Sequence, residues 1–375
     1  MIRKTIRSVF QVNLGLKQGE RLLVLTDRPS VAEVIHESDL CRRERLRDIA
    51  MLTAEVGKAF TKKIVYQEYP ALGSHGIEPP ENIWRLAFGE KTVEHLRKSG
   101  LLEPLLRKQI SPDDILRAAE IVRKHAGSAV HAVIALSNYS TSHTRFRDLL
   151  TRICGCRYAS MPLFDITMLE GSMNVDWRAL AKRTNAIAAV VNKADAVEIR
   201  TPNGSRLSLS KLGRKALSDT GILTRRGAFG NLPAGEVFLA PVEGSATGKL
   251  VLEWAPTRAL QSQVTLTVRN GRVEDVAGRE PFADLLKTKL GERAENSNIA
   301  EFGIGTNTMA KRPDNLLESE KILGTIHIAL GDNSSFGGKV QTPFHQDFVF
   351  FKPTVRLKTT GGAETVLLKD GILQV

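Results

Sequence analysis

Three short runs decide how this chain is read: Glu301–Asn307 (EFGIGTN), Gly324–Asn333 (GTIHIALGDN) and Phe344–Phe348 (FHQDF). Each has the apolar, glycine-bounded texture of a buried strand, yet each carries a carboxylate or an imidazole. Such a group must be paired, hydrogen-bonded or bound to a metal, because desolvating it alone costs several kcal/mol. In FHQDF, strand periodicity throws His345 and Asp347 to the same side, where they converge as two ligands of one cation or as a buried His–Asp pair. His327 sits among Ile326, Ile328 and Leu330, where a lone histidine reads equally as a satisfied core residue. Glu301 has no basic neighbour in sequence, and Glu236 in NLPAGEVF (231–238) is likewise placed between a turn and an apolar strand. Glu320 in LESEK (317–321) is a candidate ligand or general base, although Lys321 beside it also fits an ordinary surface pair.

Three carboxylates with two imidazoles suit Zn²⁺, Co²⁺ or Mn²⁺ better than Ca²⁺, and they exceed the needs of one tetrahedral zinc. They therefore predict a two-metal centre built from Glu236, Glu301, His327, His345 and Asp347. Glu301 or Glu320 would serve as general base.

Outward from this region the second half is β-rich and largely antiparallel. Hairpins are predicted around Pro202-Asn203-Gly204, Asn270-Gly271 and Gly361-Gly362, with a helix at Pro281–Leu290. The first half has a different texture. Arg21–Asp27 (RLLVLTD), Lys63–Tyr66 and Ala129–Leu136 (AVHAVIAL) read as strands, interleaved with helix-like Arg47–Phe60, RFRDLLTRICG and a helix opened by Ser111-Pro112-Asp113-Asp114. Ser142-His143-Thr144 stands at a strand-to-helix junction, as a substrate contact or a helix cap. The expected fold is α/β: an open, mostly parallel α/β sheet domain over residues 1–190, then a β-rich α+β metal-binding domain over 191–375.

The totals bound the function. At 375 residues, 42% hydrophobic and 25% charged, the chain is of ordinary globular composition and long enough for two domains. The net charge of +12 is spread along the chain without a basic stripe interleaved with aromatics, so no specific nucleic-acid partner is predicted. Without a membrane-length apolar run or a signal-peptide pattern, a cytoplasmic protein is expected. Three cysteines, Cys41, Cys154 and Cys156, make no disulfide framework. Gly244–Lys249 (GSATGK) misses the phosphate-loop spacing and runs into strand-like LVLEW, and Gly303-Ile304-Gly305 lacks the third glycine of a dinucleotide fingerprint.

The ordered motifs KQGERLLVLTD, EPP (78–80), TSHTRFRDLL, ASMP, GNLPAGEVFLAP, EFGIGTN, GTIHIALGDNSSFGG and HQDF resemble the aminopeptidase T family of metallopeptidases, from about Gly19 to about Val355. The resemblance implies a two-domain homodimer with paired divalent metals that cleaves an N-terminal residue from small peptides or a related small amide. It places metal carboxylates at Glu236 and Glu301, the HLA-x-G histidine at His327, the H-x-D pair at His345 and Asp347, and a further glutamate at Glu320. Where those peptidases have a tyrosine, this chain has Ser334. The same fold family includes iron-dependent ring-cleaving enzymes similar to 2,5-dihydroxypyridine 5,6-dioxygenase. On that alternative a single Fe(II) would sit on His327, His345 and Asp347, with Glu236 and Glu301 around it.

Overall fold

The structure is a computed structural model that describes residues 1–375 apart from Ala32, Val34 and His36, and apart from the side chains of Ser38 and Leu316. The chain forms two compact units. The first comprises Met1–Asn174 with Gly221–Pro233, and the second Val175–Thr220 with Ala234–Val375. This differs from the single boundary near residue 190 that the change of texture predicts. The helix Trp177–Val191 belongs to the second unit, and a later stretch of chain returns to complete the first.

Along the chain the strands are β1 Leu22–Arg28, β2 Ile64–Pro70, β3 Ala132–Ala135, β4 Arg157–Ser160, β5 Ala196–Arg200, β6 Arg206–Ser210, β7 Leu217–Asp219, β8 Phe229–Asn231 and β9 Glu236–Leu239. Then come β10 Thr247–Ala255, β11 Arg258–Arg269, β12 Arg272–Ala277, β13 Ile299–Gly305, β14 Ile326–Gly331, β15 His345–Phe350, β16 Thr354–Lys358, β17 Glu364–Lys369 and β18 Ile372–Leu373.

In the first unit the sheet order is β2-β1-β3-β4-β8, parallel throughout. Parallel neighbours require long crossovers, and the helical segments between these strands supply them. One such helix, Pro112–Lys124, starts as predicted, with Ser111 Oγ accepting from Asp114 N at 3.1 Å. At the strand-to-helix junction Thr144 is the helix cap, accepting from Arg147 N, and Ser142 Oγ bonds Ser160. All three cysteines are free. No described helix is long and apolar enough to cross a membrane.

The second unit holds two sheets. Eight strands run β12-β11-β10-β6-β5-β16-β17-β18, and the three predicted hairpins lie here. The tightest pairs Arg269 with Arg272, so that only Asn270 (φ +46°) and Gly271 (φ +73°) make the turn. GSATGK runs into β10, as a turn and a strand rather than a phosphate cradle.

The other sheet, β15-β14-β13-β9-β7, positions the candidate site. Its two faces have opposite chemistry. Ile326, Ile328, Leu330, Phe302, Ile304, Val237, Leu239, Phe348 and Phe350 project from one face into the core of this unit. Because cross-strand partners share a face, the register sends His345, Asp347, His327, Glu301 and Glu236 to the other. Between them stand Ala329, Gly331, Gly303 and Gly305, a floor with almost no side chains.

Glu301 reaches that face by alternating with the core residue Phe302. Ile299 pairs with Leu330 and Glu301 with Ala329, so one extra residue, Ala300, intervenes on β13. In a regular strand Ile299 and Glu301 would share a face; the bulge keeps Ile299 in the core instead.

The core face is what holds this sheet together. Phe302→Ala is expected to destabilise the protein by about 3–5 kcal/mol in urea denaturation while leaving the metal content of the folded fraction unchanged. A loss under about 1 kcal/mol would mean that the core face is not packed as described.

Candidate metal centre

Two glycines make room for the site. A Cβ at Gly303 would overlap the imidazole of His327, its partner on β14, and a Cβ at Gly305 would overlap the backbone of Ile322. EFGIG thus lets the His327 ring lie flat across β13 and lets the segment after Glu320 press close to Glu236, which pairs with Gly305. Gly235, with φ +120°, turns the chain immediately before Glu236 and closes against Asn307.

The side chains then assemble in two groups of three around one carboxylate. Glu236, Glu301 and His327 offer ligand atoms within 4.8 Å of one another, as do Glu301, His345 and Asp347. Glu301 Oε1 stands 3.2 Å from His327 Nε2, and Glu301 Oε2 stands 3.6 Å from His345 Nε2. Glu236 Oε2 lies 3.5 Å from His327 Nε2, and Asp347 Oδ2 lies 3.6 Å from His345 Nε2. The contact between Glu301 Oε1 and His327 Nε2 is a hydrogen bond; the other three are longer than good hydrogen bonds, and all four separations suit donors placed around a common cation at about 2.0–2.2 Å.

All five predicted ligands therefore come together. The arrangement does not gather His327 with His345 and Asp347, the trio of the iron alternative: each group contains a single imidazole. Glu320 is also present, its Oε2 2.8 Å from Lys321 Nζ.

His345 is oriented by its other nitrogen, Nδ1 donating to the carbonyl of Asp332 at 2.7 Å, which leaves Nε2 facing the carboxylates. The loop bearing that carbonyl is anchored by Glu243, which accepts from Asn333 Nδ2 and Lys339 N. Ser334 lends nothing to the site, because its hydroxyl donates to Asp332. The nearest aromatic of this loop is Phe336, edge-on to the His345 ring at 6.1 Å and also packed on Phe238.

Lys321 overturns the surface pairing that its sequence context invites. It is fully buried at 0% exposure, with Nζ 2.8 Å from both Glu236 Oε1 and Glu320 Oε2. Its LESEK setting is indistinguishable from an exposed helix end, so no sequence signal marks it. Its ammonium is held charged, well above the ordinary lysine range: burial opposes this, and Glu236, Glu320 and Asp219 outweigh burial.

One ammonium does not balance four carboxylates, of which Glu236 and Glu301 are buried and Glu320 and Asp347 nearly so. Burial drives the Glu301 carboxyl up to about 8, with Glu236 and Glu320 adding to it and His345 opposing. Burial likewise lifts Glu320 to about 7 against the pull of Lys321, and lifts Asp347 to about 6 with Glu301 adding. Glu236 Oε2 is buried with no hydrogen-bond partner. An orphaned carboxylate oxygen facing an imidazole and a second carboxylate fits a divalent cation, and the mixed O and N donors fit Zn²⁺, Mn²⁺, Co²⁺ or Fe²⁺.

The fold is shared with solved enzymes on both sides of the sequence resemblance. The structure of 2,5-dihydroxypyridine dioxygenase from Pseudomonas putida KT2440 is similar with a TM-score of 0.69 at 16% identity, covering 99% of this chain and 96% of that one. Wild-type AmpT from Thermus thermophilus is similar with a TM-score of 0.56 at 14% identity, covering 100% and 99%. Comparison with curated proteins gives no match. The family profile described as 2,5-dihydroxypyridine 5,6-dioxygenase matches residues 168–371, more than half of the sequence and all of the metal-centre residues. By that match the chain belongs to the 2,5-dihydroxypyridine 5,6-dioxygenase family.

Proposed function

We propose that this chain is a metal-dependent hydrolase, aminopeptidase-like, that removes an N-terminal residue from a small peptide or cleaves a related small amide. The observation that carries this reading is Glu301, whose two oxygens face two different imidazoles, as a carboxylate bridging two cations does. Glu236 and His327 complete one pocket, His345 and Asp347 the other. The bound cations would supply Lewis acidity toward a substrate carbonyl and toward water. Glu320 has one oxygen held by Lys321 and would accept a proton and return it to a leaving amine. Phe336 and Phe238 form an aromatic wall beside His345, suited to an apolar part of the substrate.

A second reading, ring cleavage by one Fe(II), is favoured by the family match. Against it stands the donor set, since the facial triad of such enzymes needs two imidazoles on one ion, whereas each group here has one. Descent from a common fold leaves the reaction to be decided by the site.

Metal analysis of protein purified without added metal, followed by assays with amino-acyl p-nitroanilides and of O₂ uptake with dihydroxypyridines, separates the two. Up to two zinc, cobalt or manganese ions per chain with anilide release are expected. One iron with O₂ consumption would replace this reading by the second. Glu320→Gln should lower kcat by roughly 10²–10⁴ with its metal content intact; undiminished turnover removes Glu320 from the chemistry.

Proton linkage gives an independent test on metal-free protein. The folded-state carboxyls of Glu301, Glu320 and Asp347 lie above their unfolded values. Their contribution to stability is therefore complete below about pH 4 and is lost as pH rises through about 6 to 8. Melting temperature should fall between pH 5 and 8 in chelator, and Mn²⁺ should reverse the fall, because a cation needs the deprotonated carboxylates. A chelated protein equally stable at both pH values would show that these carboxyls are not buried as described.

A further inference from the structure

Lys321 brings a fixed positive charge into direct contact with a carboxylate of one pocket, Glu236, and reaches Asp347 of the other only through space. Its Nζ touches Oε1 of Glu236, and the remaining oxygen of that same carboxylate, Oε2, faces His327. A cation among Glu236, Glu301 and His327 would thus share Glu236 with an ammonium that is itself shut away from water. In the other pocket, the described ion-pair contacts of Glu301 Oε2 and Asp347 run to His345 alone, and the His345 side chain is 28% exposed.

We propose that Lys321 is a resident cation that makes the two pockets unequal, so that Glu301, His345 and Asp347 hold one divalent ion tightly while Glu236, Glu301 and His327 hold a second weakly. The physical cause is repulsion between like charges across one carboxylate in a poorly solvated site, where it is screened far less than at the surface. Glu320 shares the same ammonium, its Oε2 2.8 Å from Nζ. The proposal rests on the metal centre described above and not on the reaction assigned to it.

A purely structural lysine would behave differently. If Lys321 served only to orient Glu236 through a hydrogen bond, its loss would weaken the adjoining pocket. If it acts through its charge, its loss strengthens that pocket. Lys321→Met removes both charge and donor, while Lys321→Gln keeps a donor without the charge, so the two variants separate these roles.

The test is Mn²⁺ titration of the chelated full-length protein by calorimetry, with metal counted after desalting and folding checked by circular dichroism. Wild type is expected to keep one Mn²⁺ through desalting and to take a second at least about 100-fold more weakly, and both variants should strengthen the second by at least about tenfold. Two equal affinities in wild type, or a second site unchanged or weakened in both variants, would overturn the proposal. A wild-type-like Lys321→Gln beside a weakened Lys321→Met would overturn it too, in favour of orientation. Because no activity is read, failure of the hydrolase assignment leaves this outcome untouched, whereas a protein that binds no Mn²⁺ fails at the metal centre itself.

Discussion

The alternation of β13 against β14 separates an apolar face from a face of ionisable groups, and the second unit depends on that separation. Glu301 pairs with Ala329 and precedes Phe302, so it lies opposite the cluster of Ile328, Phe302 and Phe348, where an unpaired charge would cost several kcal/mol. Ala300 stands unmatched before it, and this bulge keeps Ile299 in the core although Ile299 is two residues from Glu301. The Glu301 carboxylate shares its face with His327, His345, Asp347 and Glu236, and its two oxygens address two imidazoles from different strands.

The remaining problem is charge. Four carboxylates share a water-poor face with one ammonium, and burial raises the carboxyls of Glu301, Glu320 and Asp347 to between about 6 and 8. A divalent ion bound there would displace the protons of those carboxyls, so the stability of the metal-free protein at high pH and its affinity for a cation would be linked. The glycines of EFGIG serve this end directly: Gly303 gives up its side-chain space to the His327 ring, and Gly305 admits the backbone that brings Lys321 to Glu236.

Family and site point to different reactions, and the difference has a physical source. Membership describes a shared fold that extends across the whole chain. The reaction depends on which side chains a cation meets, and here each three-donor group presents one imidazole and two carboxylates. A carboxylate that spans two pockets favours a dinuclear centre, whereas ring cleavage at iron needs paired imidazoles on one ion.

Much of this was legible from residue order alone. Alternation in RLLVLTD and AVHAVIAL announced a parallel sheet, Asn270-Gly271 announced a two-residue hairpin, and the conflict between apolar strands and ionisable groups singled out Glu236, Glu301, His327, His345 and Asp347. These are local properties: periodicity, turn chemistry and desolvation act within a few residues. What the sequence could not express was distance. It did not place Phe229–Asn231 in the first sheet, because strand pairing across some seventy residues has no local signature. It left a surface pair open for Lys321, because Glu-Ser-Glu-Lys reads as solvated until Gly305 admits the backbone of Ile322 beside β13. It left open whether His327, His345 and Asp347 act as a trio or within a five-residue centre, because distances across neighbouring strands have no local signature. The sequence by itself determined which residues need a partner or a cation, since burial penalises their charge wherever they fold. Tertiary structure alone decided how they divide into two pockets around Glu301, since that division rests on inter-strand register and on a buried lysine brought in from outside the sheet.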